Sequence, residues 1–466
     1  MTFLRKIEKY KNKIAIITNS NLKISYKNLY INSKSITKNL IPRSLVFLLS
    51  GNNIETIFYY VGLVNSKTVV TLLDKNIKNN YLDRLVKLYR PNYLILPYDY
   101  PELNGYGFDS KFLDYKIIKK NNNKKIVLNR DLAILLNTSG STGSSKLVRQ
   151  SYENYYQNSK SIIKKIYLNK NDSVITTLPI NYTFGLSIIN THLISGSKII
   201  LNDYPLLQKD FWILYKKYKP SFFYGVPYMF QMISKLQFKK LLSTKLKAIC
   251  QAGGKLNENL FSEIAQFAST NKIKFYSMYG QTEATARMSI LDPEHALNKV
   301  GSIGKAIPGG KFYLIDNKKK KINLPNKSGE LVYEGKNVSM GYSKNINDLK
   351  LGNKNNYKIS TGDIASFDKD GFYFIIGRKK RFIKILGKRI NLDEVETIIE
   401  KKGYEAQCKI NDESLIIYLT NKNININNLI KHIANELGIN GSLIKIKFTK
   451  EIKRNRFGKK IHQNLS

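Results

Sequence analysis

The sequence has few cysteines and no long apolar run. Of its 466 residues only Cys250 and Cys408 are cysteine, which excludes a disulfide framework and a zinc-type cysteine spacing. No apolar run approaches the roughly 20 residues that cross a bilayer, so no membrane span is expected. The first nine residues carry charge too early for the apolar core of a signal peptide. These absences predict a cytoplasmic protein.

Acidic residues are also scarce. The chain has 34 Asp and Glu against 77 Lys and Arg, which gives a formal net charge of +43. This charge fits an anionic partner such as an acidic acyl carrier protein. It also fits a bias of composition, which we favour, because lysine is spread along the whole chain together with much asparagine, isoleucine and tyrosine. No single arm or helix concentrates the charge as in a nucleic-acid binder, so no nucleic-acid partner is predicted.

The length and the apolar content of 42% predict a globular α/β protein of two or three domains. Apolar runs alternate with helical periodicity over 45–96 and again over 174–278, which predicts mixed or parallel sheets flanked by helices. From about Lys311 short alternating segments predict antiparallel β-structure. The apolar pattern of the last part of the chain predicts a small α+β unit. Its helices are expected at 392–399 and 429–437, its strands at 415–419 and 443–448, and an Asn-rich loop at 421–428.

A loop rich in serine and glycine, Asn137 to Lys146, follows the apolar run Leu132 to Leu136. Glycines let the backbone approach a ligand, and successive backbone N–H groups then point at an anion. The hydroxyls add donors and Lys146 adds a full charge, which together suit a polyphosphate. The loop is not a Walker A motif, because two residues rather than four separate Gly140 from Gly143. A flexible surface loop is the alternative interpretation.

Shorter motifs downstream also suit a nucleotide. The segment Tyr279 to Glu283 follows a predicted strand that ends at Met278, and ligands of doubly wound sheets bind at the carboxyl ends of strands. There a tyrosine can stack on a base, a threonine can bond a phosphate, and a glutamate can hold Mg²⁺. Asp363 can accept hydrogen bonds from a ribose diol, and Arg378 can reach ribose or phosphate. Taken singly, each residue also fits the core, a helix start or a turn.

Two basic segments complete the pattern. The run from Gly377 to Gly387 contains five lysines and arginines, and it fits either a linker or an exposed basic hairpin. Gly458 and Lys459 lie close to the carboxyl end, where a Gly-Lys pair taken alone is an ordinary turn.

In this order the motifs resemble those of the adenylate-forming superfamily, which includes acyl-CoA synthetases, aryl-CoA ligases, luciferases and nonribosomal-peptide adenylation domains. The resemblance covers nearly the whole chain. It implies an AMP-binding N-terminal domain over 1–379, with a β-rich subdomain over about 301–379, and a mobile C-terminal α+β domain over 380–466. It also implies a hinge at Lys380 and a catalytic lysine at Lys459, with Lys460 as the neighbouring alternative.

The resemblance implies a two-step reaction. ATP activates a carboxylic acid as an acyl-adenylate with release of pyrophosphate, and the thiol of coenzyme A or of a carrier protein's phosphopantetheine then takes the acyl group. Lys459 would offset the repulsion between the carboxylate and the α-phosphate, and Glu283 and Thr138 would hold Mg²⁺. The implied ATP- and AMP-binding residues are Thr138, Ser139, Gly140, Ser141, Thr142, Gly143, Lys146, Gly253, Gly254, Tyr279, Gly280, Gln281, Thr282, Glu283, Asp363 and Arg378.

The acyl substrate is predicted only in part. Amino-acid adenylation domains place an Asp after a Phe near the position of Phe184, whereas this chain continues with Gly185, Leu186 and Ser187. A buried ammonium without a carboxylate is costly, which disfavours an α-amino acid. Two alternatives stay open, an amino-acid-activating carrier-protein ligase and a non-catalytic nucleotide-binding relative. The predicted acyl pocket, for which plain core packing is the alternative, comprises Tyr182, Phe184, Tyr224, Gly225 and Met278.

Overall fold

A computed structural model describes residues 8–122, 125–137, 146–238, 245–385, 388–411, 414–421, 423–454 and 460–461. The chain forms two compact units, which we call unit 1 and unit 2. Unit 1 consists of Met1–Phe312 and Tyr333–Ile359, and unit 2 consists of Tyr313–Val332 and Ser360–Ser466. The predicted boundary between 379 and 380 is a different division of the chain, and it stays a prediction.

The helices alternate with strands through most of unit 1, as the periodicity predicts. In chain order the described helices are α1 Tyr26–Thr37, α2 Ile54–Asn65, α3 Asn79–Tyr89, α4 Tyr152–Lys165, α5 Thr183–Ser195, α6 Lys209–Tyr218, α7 Pro227–Lys235, α8 Glu258–Thr270, α9 Leu392–Lys401 and α10 Ile426–Leu437. Within the part of the chain that the structure describes, none of them combines the length and the apolar character needed to cross a membrane.

The strands are short, and most of those at the centre of each large sheet are fully buried. The described strands are β1 Ile14–Ile17, β2 Lys23–Ser25, β3 Leu45–Ser50, β4 Val69–Asp74, β5 Tyr93–Pro97, β6 Tyr106–Phe112, β7 Tyr115–Lys120, β8 Leu132–Asn137, β9 Leu147–Ser151, β10 Ser173–Ile175, β11 Lys198–Ile200, β12 Phe222–Gly225, β13 Ala248–Gln251, β14 Lys274–Gln281, β15 Ala286–Leu291, β16 Ser302–Ala306, β17 Gly310–Ile315, β18 Lys321–Ile322, β19 Gly329–Gly335, β20 Tyr342–Ser343, β21 Lys358–Phe367, β22 Tyr373–Arg378, β23 Phe382–Ile385, β24 Lys388–Asn391, β25 Ala406–Asn411, β26 Ser414–Leu419 and β27 Ile444–Phe448.

Unit 1 contains two sheets, and both are parallel at the centre. One sheet runs in the order β16-β15-β14-β13-β12-β10-β11-β1-β2, with parallel pairing from β14 to β1 and antiparallel pairing of β14, β15 and β16. The other runs in the order β20-β9-β8-β4-β3-β5-β7-β6 and is parallel from β8 to β5. Buried strands of this kind need helices on their faces, which explains the alternation of strands and helices.

Helix α5 is the most buried of the described helices of unit 1. All of its residues are buried, and it packs against α4, β11 and β15. A helix that is covered on every side shows no apolar stripe, so its sequence carries no periodic signal. Gly196 ends the helix with φ 77°, a left-handed conformation that favours glycine.

Unit 2 contains a sheet in the order β18-β17-β19-β21-β22, the hairpin β23-β24, and a three-stranded sheet in the order β25-β26-β27. Helices α9 and α10 share a core with the three-stranded sheet, in which Val395, Ile399, Ile417 and Ile433 are buried. These elements confirm the α+β prediction for the last part of the chain.

Three local predictions need correction. The loop predicted at 421–428 is wrong at its end, because Asn425 caps α10 by accepting a hydrogen bond from the Asn428 backbone, and the helix begins at Ile426. Strand β14 continues through Gln281, beyond the predicted end at Met278, because β15 pairs with it. The antiparallel region that follows β14 accordingly begins with β15 rather than near Lys311. Of the basic run, Phe382–Ile385 forms strand β23, which pairs with β24 as a hairpin, while the linker interpretation of the run stays a prediction.

Candidate active site

The segment Tyr279 to Glu283 occupies the end of β14 and the turn into β15. Gly280 lies opposite Arg287 in the register, and a Cβ atom on Gly280 would lie 1.5 Å from the carbonyl oxygen of Ala286. Only glycine therefore permits this approach of the two backbones. The turn that follows is strained, because Thr285 and Ala286 have φ values of 56° and 83°. Strain of this kind accumulates at functional sites.

Thr282 connects this segment to two other elements of unit 1. Its hydroxyl lies 2.8 Å from the hydroxyl of Thr183, the first residue of α5. Its carbonyl accepts a 3.0 Å hydrogen bond from the side-chain amide of Gln150 on β9. Thr183 and Gln150, together with Ser187, line a cavity of about 10 Å³, which has room for about one water molecule. The predicted phosphate-contacting threonine is thus held by fixed polar neighbours.

Glu283 and Lys146 lie on either side of a single tyrosine. The Tyr342 hydroxyl donates a 2.6 Å hydrogen bond to Glu283 Oε1, and the Lys146 ammonium lies 3.3 Å from the centre of the Tyr342 ring. The Ser339 backbone N–H donates to the Glu283 carbonyl at 2.9 Å. The structure therefore brings together the predicted metal-binding carboxylate and the last residue of the predicted phosphate loop. The rest of that loop, Thr138 to Ser145, lies outside the described residues.

The surroundings of Glu283 fit Mg²⁺. Its Oε2 atom makes no hydrogen bond to any described residue, and the side chain is partly exposed. Mg²⁺ is typically held by one or two carboxylates together with waters and substrate phosphates, so one carboxylate suffices. Across the described residues no group of three or more His, Cys, Asp or Glu side chains is placed to hold a metal by itself. A magnesium ion here would depend on Glu283 and on the phosphates of ATP.

The segment Gln251 to Gly254 begins at the last residue of β13, and hydrogen bonds of the Gln251 side chain hold it in place. Gln251 donates from Nε2 to the Gly254 carbonyl at 2.7 Å and accepts at Oε1 from the Ser277 hydroxyl at 3.4 Å. Gly253 has φ 87°, and a Cβ atom there would lie 2.8 Å from the Tyr182 hydroxyl. Gly253, one of the predicted nucleotide-binding residues, therefore lies directly against a residue of the predicted acyl pocket.

The other predicted acyl-pocket residues are buried. Phe184 and Tyr224 lie edge to face with ring centres 6.0 Å apart, and Met278 is buried on β14. Gly225 is packed against the Phe230 ring, which a Cβ atom would meet at 2.8 Å. The structure thus brings Phe184 and Tyr224 together and packs Gly225 and Met278 into the surrounding core. Their contact with substrate stays a prediction.

Two residues at this site carry no sequence signal. Arg287 is buried, and its guanidinium carbon lies 5.8 Å from the ring centres of both Phe184 and Tyr224. Tyr342 lies 59 residues beyond the glutamate to which it donates. Neither residue belongs to a recognisable motif, and each acquires its place only through strand pairing and helix packing.

In unit 2 the two predicted ribose contacts form an ion pair. Asp363 on β21 lies opposite Arg378 on β22, and Arg378 Nε lies 2.8 Å from Asp363 Oδ1. The Asp363 side chain is 3% exposed and that of Arg378 is 52% exposed. The backbone N–H of Asp363 donates to the Thr361 hydroxyl at 3.1 Å, which orients the strand. The pair has the acceptors and donors that a sugar diol needs.

The predicted hinge residue, Lys380, is exposed in a short turn between two anchored neighbours. Lys379 pairs with Glu330 at 2.7 Å. Arg381 pairs with both Asp393 and Glu396. The backbone on each side of Lys380 is therefore held in place by ion pairs, and Lys380 itself faces solvent.

The predicted catalytic lysine, Lys459, lies outside the described residues. Its neighbour Lys460 is described, and its ammonium lies 2.9 Å from Glu396, 2.7 Å from Glu400 and 2.6 Å from the Ala406 carbonyl. These contacts give Lys460 a structural role within unit 2. Of the two neighbouring lysines, Lys459 is therefore the better candidate for contact with substrate.

Comparisons with known proteins bear on the family of this chain. A family model described as AMP-binding enzyme matches residues 3–343. A 2-succinylbenzoate–CoA ligase of Staphylococcus epidermidis is 26% identical over 442 residues, covering 91% of this chain and 89% of its own length. An oxalate–CoA ligase of Arabidopsis thaliana is 31% identical over 301 residues, covering 60% of this chain and 57% of its own.

A solved structure has the same fold. O-succinylbenzoate coenzyme A synthetase from Bacillus subtilis in complex with AMP matches with a TM-score of 0.81 and 18% identity, covering 100% of this chain and 98% of its own. Since the family model matches well over half of the sequence, the chain belongs to the AMP-binding enzyme family, and it is an AMP-forming acid–thiol ligase that activates a carboxylic acid with ATP.

Proposed function

We propose that the chain joins an organic acid to coenzyme A through an acyl-adenylate, using the residues around the end of β14. The observation that carries the assignment of the site is the grouping of Glu283, Tyr342 and Lys146 in unit 1. It places an available carboxylate oxygen and a cation near one another, as ATP phosphates and their metal require. When bound, Mg²⁺ would neutralise phosphate charge at Glu283.

Lys146 and Lys459 supply the cations that the adenylation step needs. The acid and the triphosphate are both anions, and the acid is already ionised at pH 7, so no general base is required. Lys146 contributes charge beside the phosphates. Lys459 bridges the acid carboxylate and the α-phosphate, where negative charge accumulates as the new bond forms and pyrophosphate leaves.

Asp363 and Arg378 bind the ribose. Asp363 is an ionised acceptor held in place by its ion pair, and charged acceptors form stronger hydrogen bonds than neutral ones. Lys380 is the hinge between an AMP-binding domain, 1–379, with its β-rich subdomain over about 301–379, and a C-terminal domain, 380–466, that moves between the two half-reactions. The anchoring of both neighbours of Lys380 supports a bend confined to that residue.

Coenzyme A is the acceptor that the named relatives support, because each is a CoA ligase. An acyl carrier protein is the second candidate, and the net charge of +43 favours its encounter with an acidic surface. Both cysteines are free and buried, which supports a cytoplasmic location where ATP and reduced thiols are abundant.

The acid enters beside Phe184 and Tyr224, and 2-succinylbenzoate is the first to test, since relatives matched over most of this chain are named for it. It is a dicarboxylic acid, as is oxalate, the acid of the Arabidopsis thaliana relative. In each, one carboxylate would be activated while the other keeps its charge.

Pyrophosphate release measured across a panel of carboxylic acids tests this function, with coenzyme A supplied or withheld. We expect release with at least one acid, and formation of the thioester when coenzyme A is present. Asp363→Asn should raise the KM for ATP by about 10-fold or more, because it loses a charged hydrogen-bond acceptor. Asp370→Asn, at an exposed position of unit 2, is the matched control and should retain the wild-type KM. Equal KM values for the two variants would contradict the ribose assignment.

A further inference from the structure

We propose that Arg287 binds a second, non-reacting carboxylate of the acyl substrate and thereby selects dicarboxylic acids. The inference rests on the proposed function, and it adds a specificity-determining residue that none of the sequence motifs contains. It follows from the position of Arg287, from the partners of its guanidinium and from the charges around it.

Arg287 lies on β15 directly opposite Gly280 of the nucleotide-binding segment. Its side chain is 1% exposed and extends toward α5. The guanidinium is flanked by the rings of Phe184 and Tyr224, two residues of the predicted acyl pocket, each with its centre 5.8 Å from Cζ. A group bound at Arg287 would therefore lie close to the activated end of the acid.

The described partners of the guanidinium are all neutral, and they include the Tyr224 side chain. Nε donates to the Ser187 hydroxyl at 3.1 Å, while Nη2 is shared among the Ser187 carbonyl, the Ser187 hydroxyl and the Thr191 hydroxyl. Nη1 is buried without a hydrogen-bond partner among the described residues. No described carboxylate lies within ion-pair distance of it. A buried cation in this state lacks the anion that normally accompanies it.

A second buried arginine in the same unit shows what a purely structural guanidinium looks like. Arg149 is fully buried, and it donates to four backbone carbonyls, those of Met340, Tyr342, Leu351 and Gly352. Each of its terminal nitrogens has at least one acceptor. Arg287 differs because it meets a single carbonyl and leaves a donor unused next to a predicted ligand pocket.

The neighbours of Arg287 supply no compensating negative charge. His192, whose Nε2 lies 3.3 Å from the Tyr224 hydroxyl, is neutral because burial and the nearby guanidinium lower its pKa well below the ordinary value. Burial raises the pKa values of Tyr224 and Cys250, so both keep their protons. The cluster thus carries one positive charge. A carboxylate can accept from a guanidinium through two oxygens at once, which suits a fork with an unused nitrogen.

The competing interpretation is that Arg287 only ties β15 to α5. A structural tie affects the binding of all acids alike, whereas a carboxylate-binding residue affects only acids with a second carboxylate. The ratio of kcat/KM between matched acids separates the two. We choose 2-succinylbenzoate against 4-oxo-4-phenylbutanoate, which lacks the ring carboxylate, and succinate against its monoamide, each assayed by acid-dependent ATP–pyrophosphate exchange.

We expect the wild-type enzyme to favour the dicarboxylate of at least one pair by about 10- to 100-fold, the range of charge-assisted hydrogen bonds. Arg287→Met, which removes the charge and keeps much of the length, should abolish that preference mainly through the KM of the dicarboxylate. Arg287→Lys should keep part of it. Arg130→Met, which removes a 93% exposed arginine, is the matched control and should keep the wild-type ratio.

Two results would overturn the inference. One is a wild-type enzyme that turns over the monocarboxylates as well as the dicarboxylates, a comparison that holds even if Arg287→Met does not fold. The other is an Arg287→Met enzyme that loses activity equally on both members of each pair. Either leaves the proposed function standing, whereas a wild-type enzyme that activates no acid of the full panel contradicts the proposed function itself.

Discussion

Replacing Gly280 by alanine should disable the predicted nucleotide-binding segment at its closest backbone contact. The added Cβ atom would lie 1.5 Å from the Ala286 carbonyl oxygen, 2.5 Å from its carbonyl carbon and 2.9 Å from the Arg287 Cα atom. All three are backbone atoms of the paired strand, so no side chain can rotate away. The two strands would have to separate by about 2 Å to restore an ordinary contact.

The size of the effect follows from that displacement. Forcing an extra carbon into a packed site costs about 1–3 kcal/mol in the free energy of unfolding. A displacement of about 1 Å in a reacting group can reduce the rate about 100-fold, and Tyr279 and Glu283 lie on either side of the altered residue. We therefore expect Gly280→Ala to lower kcat/KM for adenylation by at least about 100-fold, with a smaller loss of stability.

Gly352→Ala is the matched control. A Cβ atom at Gly352 would have no neighbour within 4 Å, and its φ is not in the left-handed region. The two variants would be compared by urea unfolding and by acid-dependent ATP–pyrophosphate exchange. Gly352→Ala should match the wild type in both. An intact Gly280→Ala enzyme with wild-type exchange kinetics would refute the account of this segment.

Two further predictions concern stability. Lys460→Met should lower the free energy of unfolding of unit 2 by about 1–3 kcal/mol in urea melts, because it removes hydrogen bonds to the buried Glu396, while Lys453→Met, which replaces an exposed lysine, should not. His192 should make unit 1 less stable as the pH falls below 6.5, because its ring takes up a proton in the unfolded chain but not in the folded one, where its pKa is lowered. The free energy of unfolding should then fall by up to about 1.4 kcal/mol per pH unit, and this dependence should disappear in His192→Gln. An unchanged pH slope in that variant would contradict the prediction.

The sequence predicts the alternation of strands and helices because amphipathic helices and buried strands carry periodic apolar patterns. Helix α5 was predicted only through its place between two strands, since burial on all sides removes its periodicity. The sequence pattern did not predict the last residues of β14, because the polar residues Tyr279 to Gln281 belong to the strand only through pairing with β15. The start of α10 was misplaced because asparagine serves both loops and helix caps, and here Asn425 is the cap.

Short motifs predicted some of the residues that the structure brings together, but not those that meet from distant parts of the chain. The ion pair of Asp363 and Arg378 unites two residues that were each proposed for the ribose. The hydroxyl of Tyr342 and the guanidinium of Arg287 act on residues 59 and 100 positions away, and no local pattern marks either one. Such contacts arise from strand register and helix packing, which a sequence read locally does not specify.

The most direct test of the central claim separates the two half-reactions in a Lys459→Ala enzyme. The claim is that the cation at Lys459 allows two anions, the acid and ATP, to be joined. We expect this variant to lose acid-dependent ATP–pyrophosphate exchange by at least about 100-fold while still forming the thioester from supplied acyl-adenylate and coenzyme A. Lys453→Ala, a nearby lysine replaced in the same way, should retain both steps. A Lys459→Ala enzyme with wild-type exchange would contradict the account.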